Sequence, residues 1–160
     1  MVYRMTNKSS SYWSLLLFIL IVAGVSVSGM QFQPGEWYAQ LVKPGWTPSN
    51  WLFPVAWSLL YLQIAVAGWF IYSGGSRPLK ILWAVQLILN GLWSWIFFGM
   101  HSPRLAFVDI LAMFICISAI VWLARKVSRV VVWLMTPYLV WVGYASTLNA
   151  GIYYLNISGW

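Results

Sequence analysis

Apolar residues fill most of this chain, and short polar breaks divide them at fairly even intervals. An α-helix needs roughly 20 apolar residues to cross the ~30 Å hydrocarbon layer of a bilayer. Five stretches meet that length, at about 12–29, 50–72, 80–100, 104–124 and 130–156. Three connectors, "SGGSRP" (73–78), "HSP" (101–103) and "RKVSR" (125–129), are short, so consecutive helices should be antiparallel neighbours. The connector at 30–49 is longer. It contains "EWYAQLVKPGWTPSNW" (36–51), which carries prolines and tryptophans where a plain linker needs only a few polar residues. Proline fixes φ and aromatic rings add rigid contact area, so this stretch predicts an ordered lid.

Within the spans, polar and aromatic residues recur at helical spacing. Gln86, Asn90, Trp93, Ser94 and Phe97 share one side of the third span. Trp141, Ala145, Asn149, Ile152 and Asn156 form a stripe on the fifth, and Trp57 and Tyr61 share a face of the second. At 1.5 Å rise per residue, Trp57, Ser94, Asp109 and Asn149 lie about 10 Å inside the end that carries the long connector. Tyr61, Asn90 and Ala145 lie at about 15 Å, and Trp141 a little deeper. Four spans thus send these groups into one half of the bilayer, as an aromatic-walled cavity with a few polar anchors would require.

Composition agrees with a membrane solvent. Hydrophobic residues make up 62% of the chain, charged residues only 7%, and the mean hydropathy is +0.78. Soluble domains carry about 25% charged residues, so a water-facing surface cannot be built from this set. The reading is an all-α integral membrane protein: a bundle of five transmembrane helices in a single domain, 1–160, with residues 30–49 as a long extracytoplasmic loop that lids the pocket. Of the spans, the fifth contains Pro137, which frees a carbonyl and can kink the helix.

The net charge is +7. The cations sit at the ends of apolar runs rather than in a patch, which points to topology and not to nucleic acid. Arg4, Lys8, Arg77, Lys80, Arg125, Lys126 and Arg129 fall on one side, and only Lys43 and Arg104 on the other. That bias places the N-terminus in the cytoplasm and the C-terminus outside, and it favours the cytoplasmic membrane. The N-terminal apolar stretch lacks a cleavage pattern and reads as a retained first helix.

No Ser/His/Asp, HExxH or phosphate-loop arrangement is present. Cys116 is a lone cysteine and reads as a packing residue, and the set predicts no metal site. His101 lies in an outer turn, which argues against an axial haem ligand. Asp109 reads as a paired or capped carboxylate, with Arg104 or backbone amides as partners. Asn90 is open to two readings: a bond to ligand or a bond between helices. Trp13, Trp51, Trp133 and Trp160 stand near span ends as interface anchors. Trp95 between Gly91 and Gly99 interrupts a small-residue dimer face. No lysine lies mid-helix to form a retinal Schiff base.

Five segments in order resemble one known family. "EWYAQLVKPGWTPSNW" is similar to a WY-x-x-L-x-KP-x-W-x-P loop, and "PVAWSLLY" (54–61) to the start of that family's second helix. "QLILNGLWSWIFFG" (86–99), "LAFVDIL" (105–111) and "PYLVWVGYASTLNAGIYYLN" (137–156) resemble its later signatures. The family is that of TspO and the translocator proteins: tryptophan-rich sensory proteins and the peripheral-type benzodiazepine receptor. The resemblance implies a five-helix bundle, often a homodimer, and, from relatives assigned to a bacterial or mitochondrial outer membrane, an outer membrane as the alternative to the cytoplasmic one. It implies binding of tetrapyrroles such as protoporphyrin IX and haem, with no required cofactor, and in some bacterial members light-dependent porphyrin degradation.

By motif position, Trp57 and Trp141 match the family's pocket tryptophans and are the candidates for any photochemistry. Asn90 matches its pocket asparagine, and 145–148 its ligand-lining stretch. The expected ligand-binding set is Trp46, Trp57, Tyr61, Asn90, Trp93, Ser94, Phe97, Trp141, Ala145 and Leu148. Trp37, Lys43, Pro44, Trp46 and Pro48 form the expected lid, with Lys43 at the mouth to meet a carboxylate. Tyr153 and Tyr154 are followed by "LNISGW" without Lys or Arg, so the animal sterol motif is missing, and sterol binding is weakly supported. The expected function is a membrane receptor for tetrapyrroles, linked to stress signalling. A transporter of porphyrins or other hydrophobic molecules, or a ligand-responsive scaffold, are the alternatives.

Overall fold

A computed structural model of the chain describes residues 8–157, with side chains from Tyr12 onward. Arg4, Trp160 and the Lys8 side chain, used above for topology and anchoring, lie outside the described residues.

Five long apolar helices form the bundle: α1 (Lys8–Met30), α3 (Leu52–Gly74), α4 (Arg77–Ser94), α5 (Pro103–Ala124) and α6 (Arg129–Leu155). Each is long and apolar enough to cross a membrane, so the chain is an integral, multi-pass membrane protein. Prolines at the starts of α4 and α5 sit in first turns, where no intrahelical N–H bond is lost. Ser128 caps α6 by accepting from the Val131 amide at 3.5 Å. Pro137 does not break α6, which runs on to Leu155.

Two segments depart from the expected pattern. The connector 31–51 contains a short helix, α2 (Glu36–Gln40), rather than loop throughout. Glu36 in its first turn favours the helix dipole. Leu41 is already extended, and Lys43–Pro44 disfavours further helix. The second departure is at the end of α4. Residues Trp95–Gly99 form a wider π-type turn, in which the Met100 amide donates to the Trp95 carbonyl at 2.8 Å. Such a turn inserts one residue into the helical register and occurs often at functional sites.

The helices close into a ring. α1 lies against α3 and α4, α3 against α6, and α5 between α4 and α6. Away from the connector a dense apolar core joins the helices. There Ile64, Ile71, Leu79, Ile117, Ile120 and Met135 are each at most 1% exposed. α3 and α4 touch where Gly68 faces the Trp83 indole, with no room for a Cβ. Trp83 is fixed in that position by its bond to the Ile64 carbonyl at 3.0 Å. α1 buries little besides Phe18 and Val22; Trp69 ties α3 to it through Ser14 at 3.0 Å. The other half of the bundle, beneath the connector, is hollow.

Candidate functional site

The hollow is a cavity of about 570 Å³. All five long helices and the connector contribute to it. Trp57, Tyr61, Asn90, Trp93, Ser94, Phe97, Trp141, Ala145 and Leu148, expected at such a site, all line it. The period of 3.6 that put them on common faces is what brings them together.

Aromatic rings make two walls. On one, Trp57 stacks on Tyr61 with centroids 5.3 Å apart. It meets Trp141 edge-on at 6.4 Å, and Phe53 meets Trp141 at 5.9 Å. On the other, Trp93 stacks on Phe97 at 4.9 Å, and Phe98 packs edge-on against both. Phe97 and Phe98, within the π-type turn, line the cavity together with Trp93 and Ser94.

Polar groups knit the floor. Tyr61 donates its hydroxyl to Asn90 Oδ1 at 3.1 Å. Asn90 Nδ2 donates to the Tyr138 hydroxyl at 3.0 Å, and Tyr138 donates to Met113 Sδ at 3.1 Å. One asparagine thereby links α3, α4, α5 and α6. These bonds join helices, and Asn90 also lines the cavity. Asn149 is likewise engaged: it accepts from Trp93 Nε1 at 3.1 Å and donates to the Pro103 carbonyl at 2.8 Å. The Trp141 indole N–H differs. It is buried and has no hydrogen-bond partner, although Trp141 lines the cavity. A buried unpaired donor is costly, so this N–H is suited to an acceptor on an occupant.

The connector closes over one end, but not with the residues expected to face inward. Phe32, Gln33, Pro34 and Tyr38 reach the cavity. Trp46 is 56% exposed and outside the lining. Its carbonyl accepts from the Tyr144 hydroxyl at 2.8 Å, which holds that backbone on α6, and its ring edge lies beside Gly151. Lys43 does not reach the mouth either. Its ammonium donates to the Ala39 and Leu41 carbonyls at 3.3 and 3.2 Å and lies 4.6 Å over the Tyr38 ring.

The other lid residues fasten the connector. Pro44 is buried against Gly151, which has no room for a Cβ there. Trp37 stacks on His101 at 4.4 Å and meets Phe97 edge-on at 5.8 Å. Pro48 is half-buried and outside the lining. Asn156 clasps Val42 by both backbone groups, accepting from its amide and donating to its carbonyl, each at 3.0 Å. Burial beneath this cover pushes the Tyr38 phenol above its ordinary value near 10.

Asp109 is also placed differently from expectation. It is buried, and its Oδ2 has no hydrogen-bond partner, so neither Arg104 nor a backbone amide pairs with that oxygen. Sequence reasoning missed the contribution of α1, where Ser26, Gly29 and Met30 line the cavity. A helix apolar on every side gives no facial signal. It also missed Phe53 and Phe98, which carry no polar mark, and Phe32 and Tyr38, which loop geometry alone brings inward.

Comparison with known proteins bears on this arrangement. Residues 14–155 match the model of the TspO/MBR family. The tryptophan-rich protein TspO of Chlorobaculum tepidum is 36% identical over 94% of this chain and 99% of its own length. The tryptophan-rich sensory protein of Cereibacter sphaeroides is 34% identical over 90% and 92%. The translocator protein of Ovis aries is 34% identical over 82% and 83%. The matched residues span all five long helices and the lid, and with them the whole wall of the cavity: the chain belongs to the TspO/MBR family.

Proposed function

We propose that this protein is a membrane receptor for tetrapyrroles, binding a flat apolar macrocycle such as protoporphyrin IX or haem in the aromatic cavity. The observation that carries the reading is the pair of aromatic walls around 570 Å³, with one unpaired indole N–H at Trp141. Each well-placed aromatic contact contributes about 0.5–1.5 kcal/mol beyond area burial, and Trp57, Trp93, Trp141 and Phe97 offer several. The acidic side chains of the ring point to the mouth, where Gln33 and Asn50 offer amide groups. Lys43 takes part only by leaving its two loop carbonyls. The cation-rich end faces the cytoplasm, by the bias of Lys and Arg, and the lid faces outward. A relative named as a sensory protein suits a ligand-responsive role in signalling.

Light-dependent breakdown of the bound porphyrin is the second reading, and it rests on Trp57 and Trp141 lining the same cavity. An illuminated porphyrin activates dioxygen beside these oxidisable rings, so the macrocycle is degraded without an acid–base site.

One titration tests both. Purified protein is mixed with protoporphyrin IX, and fluorescence is followed in darkness and under light. Saturable quenching in the dark is expected, weakened in Trp57→Phe and Trp141→Phe. Protein-dependent bleaching under light that these variants lose supports the second reading. No saturable quenching overturns the first, and vesicle flux without either signal favours transport.

A further inference from the structure

The opposite end of the bundle holds a second cavity, of about 400 Å³. It lies between the last turns of α3, at Trp69, Phe70 and Gly74, and the turn from α5 to α6, at Val127 and Ser128. Its deeper wall is apolar, with Ile71, Leu79 and Val131 each nearly or fully buried.

Five cations stand at this end of the bundle, next in the chain to residues of the cavity wall. Arg77, Lys80, Arg125, Lys126 and Arg129 each stand within two residues of a wall residue. Lys80 and Lys126 lie over the Tyr72 and Trp122 rings at 5.7 and 5.8 Å. Arg77, Arg125 and Arg129 are exposed. The chain has only two acidic residues, Glu36 and Asp109. Glu36 is in α2 and Asp109 near the start of α5, both in the half beneath the lid. Neither acidic side chain therefore neutralises these five cations. Membrane topology accounts for the cations, but not for an apolar recess set among them.

An apolar recess at the cation-rich end of the bundle matches one kind of molecule. It must carry a negative head at the interface and hydrocarbon behind it. Basic pockets between transmembrane helices bind acidic lipid headgroups in this way. We propose that this cavity is a binding site for an anionic diacyl phospholipid. Its phosphate lies among Arg125, Arg129 and the Ser128 hydroxyl, and the upper part of its acyl chains lies against Trp69 and Phe70. Ser128 Oγ accepts from the Val131 amide and keeps its own proton to donate. The proposal is independent of what the larger cavity binds.

The test uses the full chain in nanodiscs of equal phosphatidylcholine and phosphatidylglycerol. The protein is transferred to mild detergent, and retained lipid is counted by native mass spectrometry. Preferential retention of phosphatidylglycerol is expected. Arg125→Gln with Arg129→Gln should lower that retention at least about fivefold. Val127→Trp narrows the recess while keeping every charge, and should lower it as well. This second variant decides the matter if the double variant fails to fold. Equal retention of the two lipids by the parent protein overturns the proposal. So does retention unaffected by Val127→Trp, which would mean surface charge alone. Displacement of the lipid by millimolar inorganic phosphate would also overturn it, as the mark of a free-anion site.

Discussion

Asn156→Ala isolates the fastening of the lid. In the parent protein, Asn156 Oδ1 accepts from the Val42 amide and Nδ2 donates to the Val42 carbonyl, each at 3.0 Å. These two bonds join positions 114 residues apart in the chain, and neither can be replaced by helix or sheet bonding. A net hydrogen bond stabilises by about 0.5–1.5 kcal/mol, so losing two weakens docking by about 1–3 kcal/mol. That corresponds to a roughly 5- to 150-fold larger opening constant for the lid, at tenfold per 1.4 kcal/mol. The assay is amide hydrogen exchange in nanodiscs. The Val42 amide reports directly, because it is one of the donors. Exchange at Val42 should accelerate by that factor, while amides in α5, which makes no contact with Asn156, stay protected. A folded Asn156→Ala protein with unchanged exchange at Val42 would refute the reasoning. It would assign the lid to the Pro44–Gly151 and Trp46–Tyr144 contacts instead.

Four further outcomes follow from the same geometry. Gly68→Ala drives a Cβ into the anchored Trp83 ring and should cost about 1–3 kcal/mol as overpacking; thermal unfolding as high as the parent's would contradict the α3–α4 spacing. Gly151→Ala meets Pro44 in the same way and should raise protease sensitivity within 36–47, with the bundle helices intact. Asn90→Leu removes the bonds to Tyr61 and Tyr138 and should lower stability by about 1–2 kcal/mol, since interhelical bonds in membranes average ~0.6 and reach ~1.7 kcal/mol; an unchanged unfolding midpoint would show that the network is dispensable. Tyr38, whose phenol burial raises above its ordinary value near 10, should show a tyrosinate band, read as parent minus Tyr38→Phe, only above that value. With a raised folded-state value, its contribution to lid closure is complete below pH 10 and is lost as pH rises through the raised value; ionisation at or below 10 would mean that the closed lid leaves Tyr38 wet.

Much of this architecture was legible in the order of residues because a bilayer imposes simple rules. Each span must satisfy its own backbone and present apolar side chains, so length and hydropathy alone mark five helices. Helical period then assigns Trp57 with Tyr61, Asn90 with Trp93, and Trp141 with Ala145 to common faces, whatever the neighbours are. Pairings between elements obey no such local rule. Phe97 and Phe98 lie in a π-type turn, and no residue from Trp95 to Gly99 announces it. Lys43 read as free to meet a ligand, yet three-dimensional proximity gives it the Ala39 and Leu41 carbonyls and the Tyr38 ring. Asp109 read as paired, yet one of its oxygens is buried without a partner. The sequence by itself determined the spans, their faces and the cation-rich end, because those depend on solvent and on helical period. Only the tertiary structure decided which polar groups pair, how α1 completes the wall and what fastens the lid, because those depend on contacts between residues far apart in the chain.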